Sequence, residues 1–408
     1  MSALVPPRTA DLHPSLGASL SGTNLERAGD HNQRVMLQAI RVSGPITRAE
    51  LATITGLTAP AIANITKRLL NDGLIMEVGR LHGARGQPAM RLAINPDGCY
   101  SIGVNIDRDH VTVLVLDLLG QVRHRATLDV DFPLPDTVAA FFKEQVEAFQ
   151  AAGTFPQDRI VGIGVAMPDD LGRVNLPNRP ASYEAWNTVN VARLFSAILP
   201  LPVFLENDAA AAALGELQFG HGLHDPSFFY ILISRGLGGG MVIDGQYFRG
   251  AQGRSGEIGF LPVSSPRTPA TSLQEAVSLS ALFSFLKANG YPLCQPDELA
   301  GLDAAGQTLV AQWLDLAAEL LTVPIIAVSC LVNPEAVFLG GRLPTTQLDR
   351  LAQLITDRLQ AHAGTIPVIA PVYRAATAMD APAVGAAILP FNDRLLPSRT
   401  ALMKTAAA

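Results

Sequence analysis

The chain changes texture at His31 and again at Pro96, and each change restricts what the following segment can fold into. From His31 to Gly44-Pro45 the apolar residues Val35, Leu37, Ile40 and Val42 recur as they would on one face of a helix. Thr47 and Glu50 have the spacing of a capping box. They predict a helix that turns Leu51 and Ile54 inward and stops at Gly56. Thr58 is placed to cap a third helix, with Pro60 in its first turn and Ile62, Ile65 and Leu69 on its inner face, ending at Asn71-Asp72-Gly73. Leu74–Val78 and Met90–Ile94 read as short strands around a loop that carries Arg80, Arg85 and Gln87.

Three helices followed by a two-stranded wing match a winged helix-turn-helix, whose third helix enters the DNA major groove. Thr58, Ala59, Ala61, Asn64, Lys67 and Arg68 fall on the face turned away from the apolar stripe. Asn64 suits an adenine edge, Ala59 or Ala61 a thymine methyl, and Lys67 and Arg68 phosphates. Arg85, with Gln87 nearby, suits a narrow minor groove. The charge agrees with this reading: residues 31–92 hold 8 basic against 3 acidic residues, in a chain whose net charge is −6. A basic end on an acidic body suits a protein that meets a polyanion at one end only. Chance clustering of arginines, or a small helical protein-interaction module, is the alternative.

After Pro96, short apolar runs such as Tyr100–Ile106, Val111–Leu116, Ile160–Ala166 and Phe228–Ile233 alternate with helical stretches, which predicts an α/β body around a central sheet. At 48% hydrophobic and 16% charged, with mean hydropathy +0.25, the chain can bury a large core. Its longest apolar stretch, Leu321 to Val332, contains Pro324 and is too short to span a bilayer, so no membrane partner is expected. The first 20 residues lack the pattern of a secretory leader. Cys99, Cys294 and Cys330 are too scattered for a disulfide framework or a thiolate cage. A cytoplasmic protein is expected.

Three segments carry chemistry. Leu205-Glu206-Asn207-Asp208 leads into an alanine-rich helix, a place where Asp208 can accept a hydroxyl proton and Asn207 hold a neighbouring group. An N-cap role for the pair is equally compatible with the spacing. Ser234-Arg235-Gly236-Leu237-Gly238-Gly239-Gly240 reads as a glycine loop between strands, of the kind that approaches phosphate. Glu257, among Gly253, Gly256 and Gly259, suits a bidentate grip on sugar hydroxyls or a brace for its own loop.

In this order, the segments resemble the ROK family of sugar kinases and sugar-responsive repressors, from about His31 to Gly385-Ala386-Ala387. The resemblance implies an actin-like (ribonuclease H-like) fold of two α/β lobes behind the winged helix. It implies a sugar site of Asn178 (after Pro177, with Trp186 downstream), Asn207, Asp208 and Glu257, with Gln274 at the last contacting position. Asp208 corresponds to the kinases' catalytic base, and Gly340-Gly341 resembles their adenosine cradle. The departures are specific. Asp107 and Arg108 replace two glycines of the first phosphate turn, and Ser234-Arg235-Gly236 replaces a Gly-Thr-Gly in the second, which keeps Gly238 and Gly239. Added bulk and acidic charge oppose ATP binding. The family's zinc cysteines are missing between Val263 and Gln274, and Phe260 replaces its histidine. His221 and His224 read as a surface pair.

These readings predict an arm over 1–30, a winged helix-turn-helix over 31–95, a two-lobed sugar-sensing body over 96–395 and a tail over 396–408. They also predict no cofactor and no metal, with operator DNA and a sugar or sugar phosphate as partners, and a homodimer or homotetramer. Two other readings stay open: a glucokinase-like kinase with an appended DNA-binding domain, and a repressor that answers to a partner protein.

Overall fold

In a computed structural model, residues 25–81, 89–169, 171–172, 179–377 and 380–397 are described. The chain divides into two compact units. One contains the described residues up to Cys99 together with those from Phe391 onward; the other is Tyr100–Pro390.

The first unit is a winged helix-turn-helix. Helix α1 (Leu25–Ser43) begins upstream of the expected boundary at His31. Its buried face is Met36, Leu37 and Ile40, while Val42 is exposed. Strand β1 (Ile46–Thr47) leads into α2 (Arg48–Thr55), which Thr47 and Glu50 cap reciprocally, as their spacing requires. Gly56 closes α2 at φ 68°, a conformation that favours glycine. Only Leu51 of this two-turn helix is buried; Ile54, expected inside, falls in the last turn before the chain reverses and is exposed. Helix α3 (Ala59–Asn71) buries Ile62, Thr66 and Leu69, with Ile65 half-buried beside them. Thr58 is its N-cap residue but makes no side-chain capping bond. Strands β2 (Ile75–Leu81) and β3 (Ala89–Ile94) form the wing, and β1 adds a third strand on β3. At the carboxyl end of this unit, Arg34 donates to the carbonyl oxygens of Asp393 and Leu396.

The second unit has two lobes, each built on a five-stranded sheet. In the first lobe, β4 (Tyr100–Ile106), β5 (His110–Asp117) and β6 (Val122–Asp129) form an antiparallel meander. After α4 (Pro135–Ala151), β7 (Ile160–Met167) joins parallel to β4; after α5 (Val191–Ser196), β8 (Val203–Asn207) joins parallel to β7. Helix α6 (Asp208–Phe219) follows directly. The second lobe pairs β9 (Phe228–Ile233) with β10 (Leu237–Ile243), which β11 (Gln246–Tyr247) extends. Helices α7 (Leu273–Ala276), α8 (Leu279–Ala288) and α9 (Ala304–Val332) precede β12 (Ala336–Gly341), parallel to β9. Helix α10 (Thr345–Gln360), β13 (Val372–Arg374) and α11 (Ala381–Arg394) follow, α11 running on from Pro390 into the first unit.

Among the described residues, α9 alone is long and apolar enough, by length and composition, to cross a membrane. It runs through Pro324 without a break. Val310, Trp313, Leu314, Leu321 and Ile325 on this helix are buried in the core of the second lobe.

Small residues bring α6 and α11 close to the sheets. The Gly238-Gly239-Gly240 run lies in β10 rather than in a loop. A Cβ on Gly238 would meet the Ala209 side chain at 2.9 Å, and one on Gly240 would meet that of Ala213 at 2.7 Å. The glycines therefore seat α6 against β10. Ala166 of β7 forms a small buried cluster with Ala211 of α6 and Ala386 of α11. Gly385 lies where a Cβ would strike the Ala211 backbone.

Candidate functional site

At the end of β8 the chain enters α6 through Asn207, not Asp208, as the helix N-cap. Asn207 Oδ1 accepts from the N–H groups of Ala209 and Ala210 at 2.9 and 3.2 Å, and its amide donates to Asp169 Oδ2 at 3.2 Å. With its oxygen engaged by the backbone, Asn207 holds the helix entry and Asp169 in place. Asp208, one residue on, is buried and bonded through Oδ1 to the Ala209 N–H at 2.8 Å. Burial, reinforced by the negative charge of Asp107, pushes its carboxyl up to about 7, although Arg108 acts in the opposite direction.

Asp208 opens on a cavity of about 100 Å³. Asn207, Glu257, Gln274, Gly238, Gly239 and Arg108 also line it. Residues far apart in sequence thus meet at one pocket. Glu257 is half-buried and receives the Arg254 Nε at 2.9 Å, so the brace expected as an alternative is present beside any grip on a ligand. Asn178, Arg85 and Gln87 lie outside the described residues. Asp169, Ser234, Tyr247 and Arg254 also line the pocket and were not singled out from sequence. A carboxylate just past the end of an apolar strand is the signal that points to Asp169.

The turn between β4 and β5, where the kinases' first phosphate turn would be, is closed by side chains. Asp107 Oδ1 accepts the Arg108 N–H at 2.7 Å. The Arg108 guanidinium lies over the second turn, 3.1 Å from the position of a Cβ on Gly236. Asp109 is fully buried and joins the two lobes. Its Oδ2 accepts from Arg235 Nε at 3.1 Å and from Arg342 Nη1 at 2.8 Å, and its Oδ1 lies 2.7 Å from His110 Nδ1. Arg235 also reaches Asp131 at 3.2 Å, and Arg342 reaches Asp129 at 3.3 Å. Burial opposes ionisation of Asp109, but the His110 contact and the charges of Arg342 and Arg235 outweigh it and hold the carboxyl well below the usual range. The glycines expected to cradle phosphate are not loop residues: Gly238 and Gly239 pair with Leu232 and Ile231 in the sheet.

Asp107, Asp109 and His110 are the one group of potential metal ligands found among the described residues. The arginines on Asp109 already supply the positive charge a cation would bring there. The segment from Val263 to Thr271, where the zinc cysteines of the resembling family are missing, is held by polar contacts. Val263 and Thr271 bond through their backbones, and Arg267 reaches Glu319 and Asp315 at 2.6 and 3.0 Å.

On the winged helix, Thr58, Ala59, Asn64, Lys67 and Arg68 are exposed on one face of α3, with Ala61 half-exposed. Arg68 is 3.4 Å from Asp30, a contact between two exposed groups that a phosphate can displace.

Comparison with known proteins gives two family matches. The ROK family matches residues 101–392, and a winged helix-turn-helix DNA-binding family matches residues 30–76. The N-acetylglucosamine repressor of Escherichia coli O157:H7 is 23% identical over 376 residues, covering 85% of this chain and 90% of that protein. The xylose repressor of Bacillus subtilis (strain 168) is 26% identical over 236 residues, or 57% of this chain; the chain thus spans 60% of that relative's length. Among solved structures, a ROK family transcriptional regulator described as a homolog of the E. coli MLC protein superposes with a TM-score of 0.66 at 23% identity, covering 92% of this chain and 99% of that one. A ROK family glucokinase from Streptomyces griseus, in complex with glucose and AMPPNP, gives 0.53 at 22% identity, covering 71% and 98%. These structural likenesses establish the fold: a winged helix-turn-helix followed by the two-lobed kinase-like body.

Proposed function

The chain belongs to the ROK family, and we propose that it is a sugar-responsive transcriptional repressor whose body senses a sugar or sugar phosphate without phosphorylating it. One observation carries the reading: a winged helix with an open polar face is joined to a pocket that keeps Asp208 and Glu257 while side chains fill its phosphate turns. Relatives named xylose repressor and N-acetylglucosamine repressor support it. A homodimer or homotetramer follows from the few base-reading groups on one winged helix, which favours a roughly palindromic operator. The organisation expected from sequence, with a cytoplasmic DNA-binding end and a sugar-sensing body, is part of the proposal, as is the absence of a cofactor, a metal and a membrane partner.

Selection from random DNA at moderate salt tests the reading and should return a preferred site. Lys67→Ala should weaken binding evenly across sequences and make the salt dependence shallower by about one charge per recognition helix. Asn64→Ala should relax preference at one base pair, at a cost of about 1–3 kcal/mol. A library that yields no preferred sequence would sink the repressor reading.

A kinase with an appended DNA-binding domain is the second reading, favoured by the presence of Asp208 at the catalytic-base position. Coupled assays with ATP over a sugar panel should give no turnover above background, because Arg108 and the Asp109 cluster stand where phosphates would bind. Turnover that vanished in Asp208→Asn would establish the kinase instead.

A further inference from the structure

The cavity beside Asp208, at about 100 Å³, is small next to the 300–1,000 Å³ typical of ligand pockets. Arg108, Gly236 and Gln274 line both this cavity and a groove of about 900 Å³ that runs along α8. Gly236, which has no side chain, leaves room for the Arg108 guanidinium to pack against it. The Arg108 Nε is buried and has no hydrogen-bond partner. Beyond the junction, the groove is walled by Ala281, Phe285 and Leu316, with the exposed Ser284 on the same helix turn as Ala281 and Phe285.

We propose that this site takes a glycoside rather than a free monosaccharide. One sugar ring lies at Asp208 and Glu257, the linking oxygen passes between Arg108 and Gln274, and the attached ring or aglycone lies along α8. The inference rests on the sugar-sensing reading above and gives it a ligand class.

Three features favour that occupant. Arg108 lines both spaces, and a bridging oxygen or a hydroxyl of the second unit supplies an acceptor for the N–H groups at the end of its guanidinium. The wall of Ala281, Phe285 and Leu316 suits the C–H face of a sugar or an aromatic aglycone, while Gln274 and Ser284 suit hydroxyls. An anionic extension is disfavoured, because the other two arginines on the groove already hold carboxylates: Arg235 pairs with Asp109 and Asp131, and Arg267 with Asp315 and Glu319.

Calorimetric titration of the full-length protein tests this with glucose, xylose and N-acetylglucosamine, their 4-nitrophenyl α- and β-glycosides, and the disaccharides maltose and cellobiose. At least one glycoside or disaccharide should bind about tenfold or more tightly than its parent sugar. Ser284→Trp, at an exposed position on α8, should reduce that glycoside to the parent's affinity while leaving the parent sugar within about twofold of wild type. Ala281→Phe, three residues earlier on α8, should do the same; circular dichroism checks that both variants fold. Parent sugars that bind as tightly as every glycoside, or a glycoside advantage that survives both substitutions, would overturn the inference and leave the sugar-sensing reading standing. If neither sugars nor glycosides bind, both fail together.

Discussion

Replacing Arg235 and Arg342 together by alanine should cost the two-lobed body about 3–5 kcal/mol, a large share of the roughly 5–15 kcal/mol that holds a typical domain folded. Both arginines donate to Asp109, which is fully buried at the junction of the lobes. Removing them strands that carboxylate without its two guanidinium partners. Asp109→Asn should cost less, because Arg235 and Arg342 are partly exposed and keep Asp131 and Asp129 within reach. Urea denaturation followed by fluorescence measures both. The pH dependence has a definite sign. In the wild type the folded pKa of Asp109 is depressed, so its stabilising contribution is present above the unfolded value of about 3.9 and is lost only as pH falls through the lower folded value. In the double variant the carboxyl loses the arginine charges that hold it down and protonates at milder acidity. The gap between the two proteins should therefore be smaller at pH 5 than at pH 8. Equal gaps at both pH values would show that the cluster is not what the arginines stabilise.

Asp208→Ala should weaken sugar binding by about ten- to a hundredfold, since a buried carboxylate makes charge-assisted bonds to hydroxyls worth about 1.5–3 kcal/mol each. Operator affinity in the absence of sugar should change little, because Asp208 is not in the winged helix. The variant would then stay on the operator when inducer is present. By reciprocity, a sugar that loosens DNA must itself bind more weakly to the DNA-bound protein. Because the Asp208 carboxyl is pushed up to about 7, wild-type sugar affinity should rise between pH 6 and pH 8 as the group ionises and becomes a pure acceptor. Superimposable release curves for the wild type and a folded Asp208→Ala would show that this pocket is not the sensor.

Local rules made the winged helix legible. Thr47 and Glu50 announce a helix start within four residues, and Gly56 announces its end. The β1 strand escaped notice because two residues carry no periodicity; only its pairing with β3 defines it. In the body, the ordered motifs led to Asp208, Glu257 and Gln274, which do line one pocket. The ion cluster was not legible, because Asp109 and Arg342 are 233 positions apart and nothing local marks either as the other's partner. Composition misled at Gly238-Gly239-Gly240. Close backbone approach to a phosphate and close backbone approach to a helix select the same residue, and here the neighbour is the alanine face of α6.

That preference for small residues extends to the crossing of α6 with α11. Helix α6 lies on the sheet of the second lobe through Ala209 and Ala213, and α11 lies on that of the first, where Gly103 and Gly164 admit its backbone. Where they meet, Gly385 faces the main chain of Ala211, and Gly215 faces that of Ala381 and Gly385. A joint of bare backbone works as a smooth bearing rather than as meshed gears. Little side-chain bulk at the crossing itself opposes a rotation of one lobe on the other. Resistance to swivelling then comes from contacts elsewhere, among them the arginines that clasp Asp109.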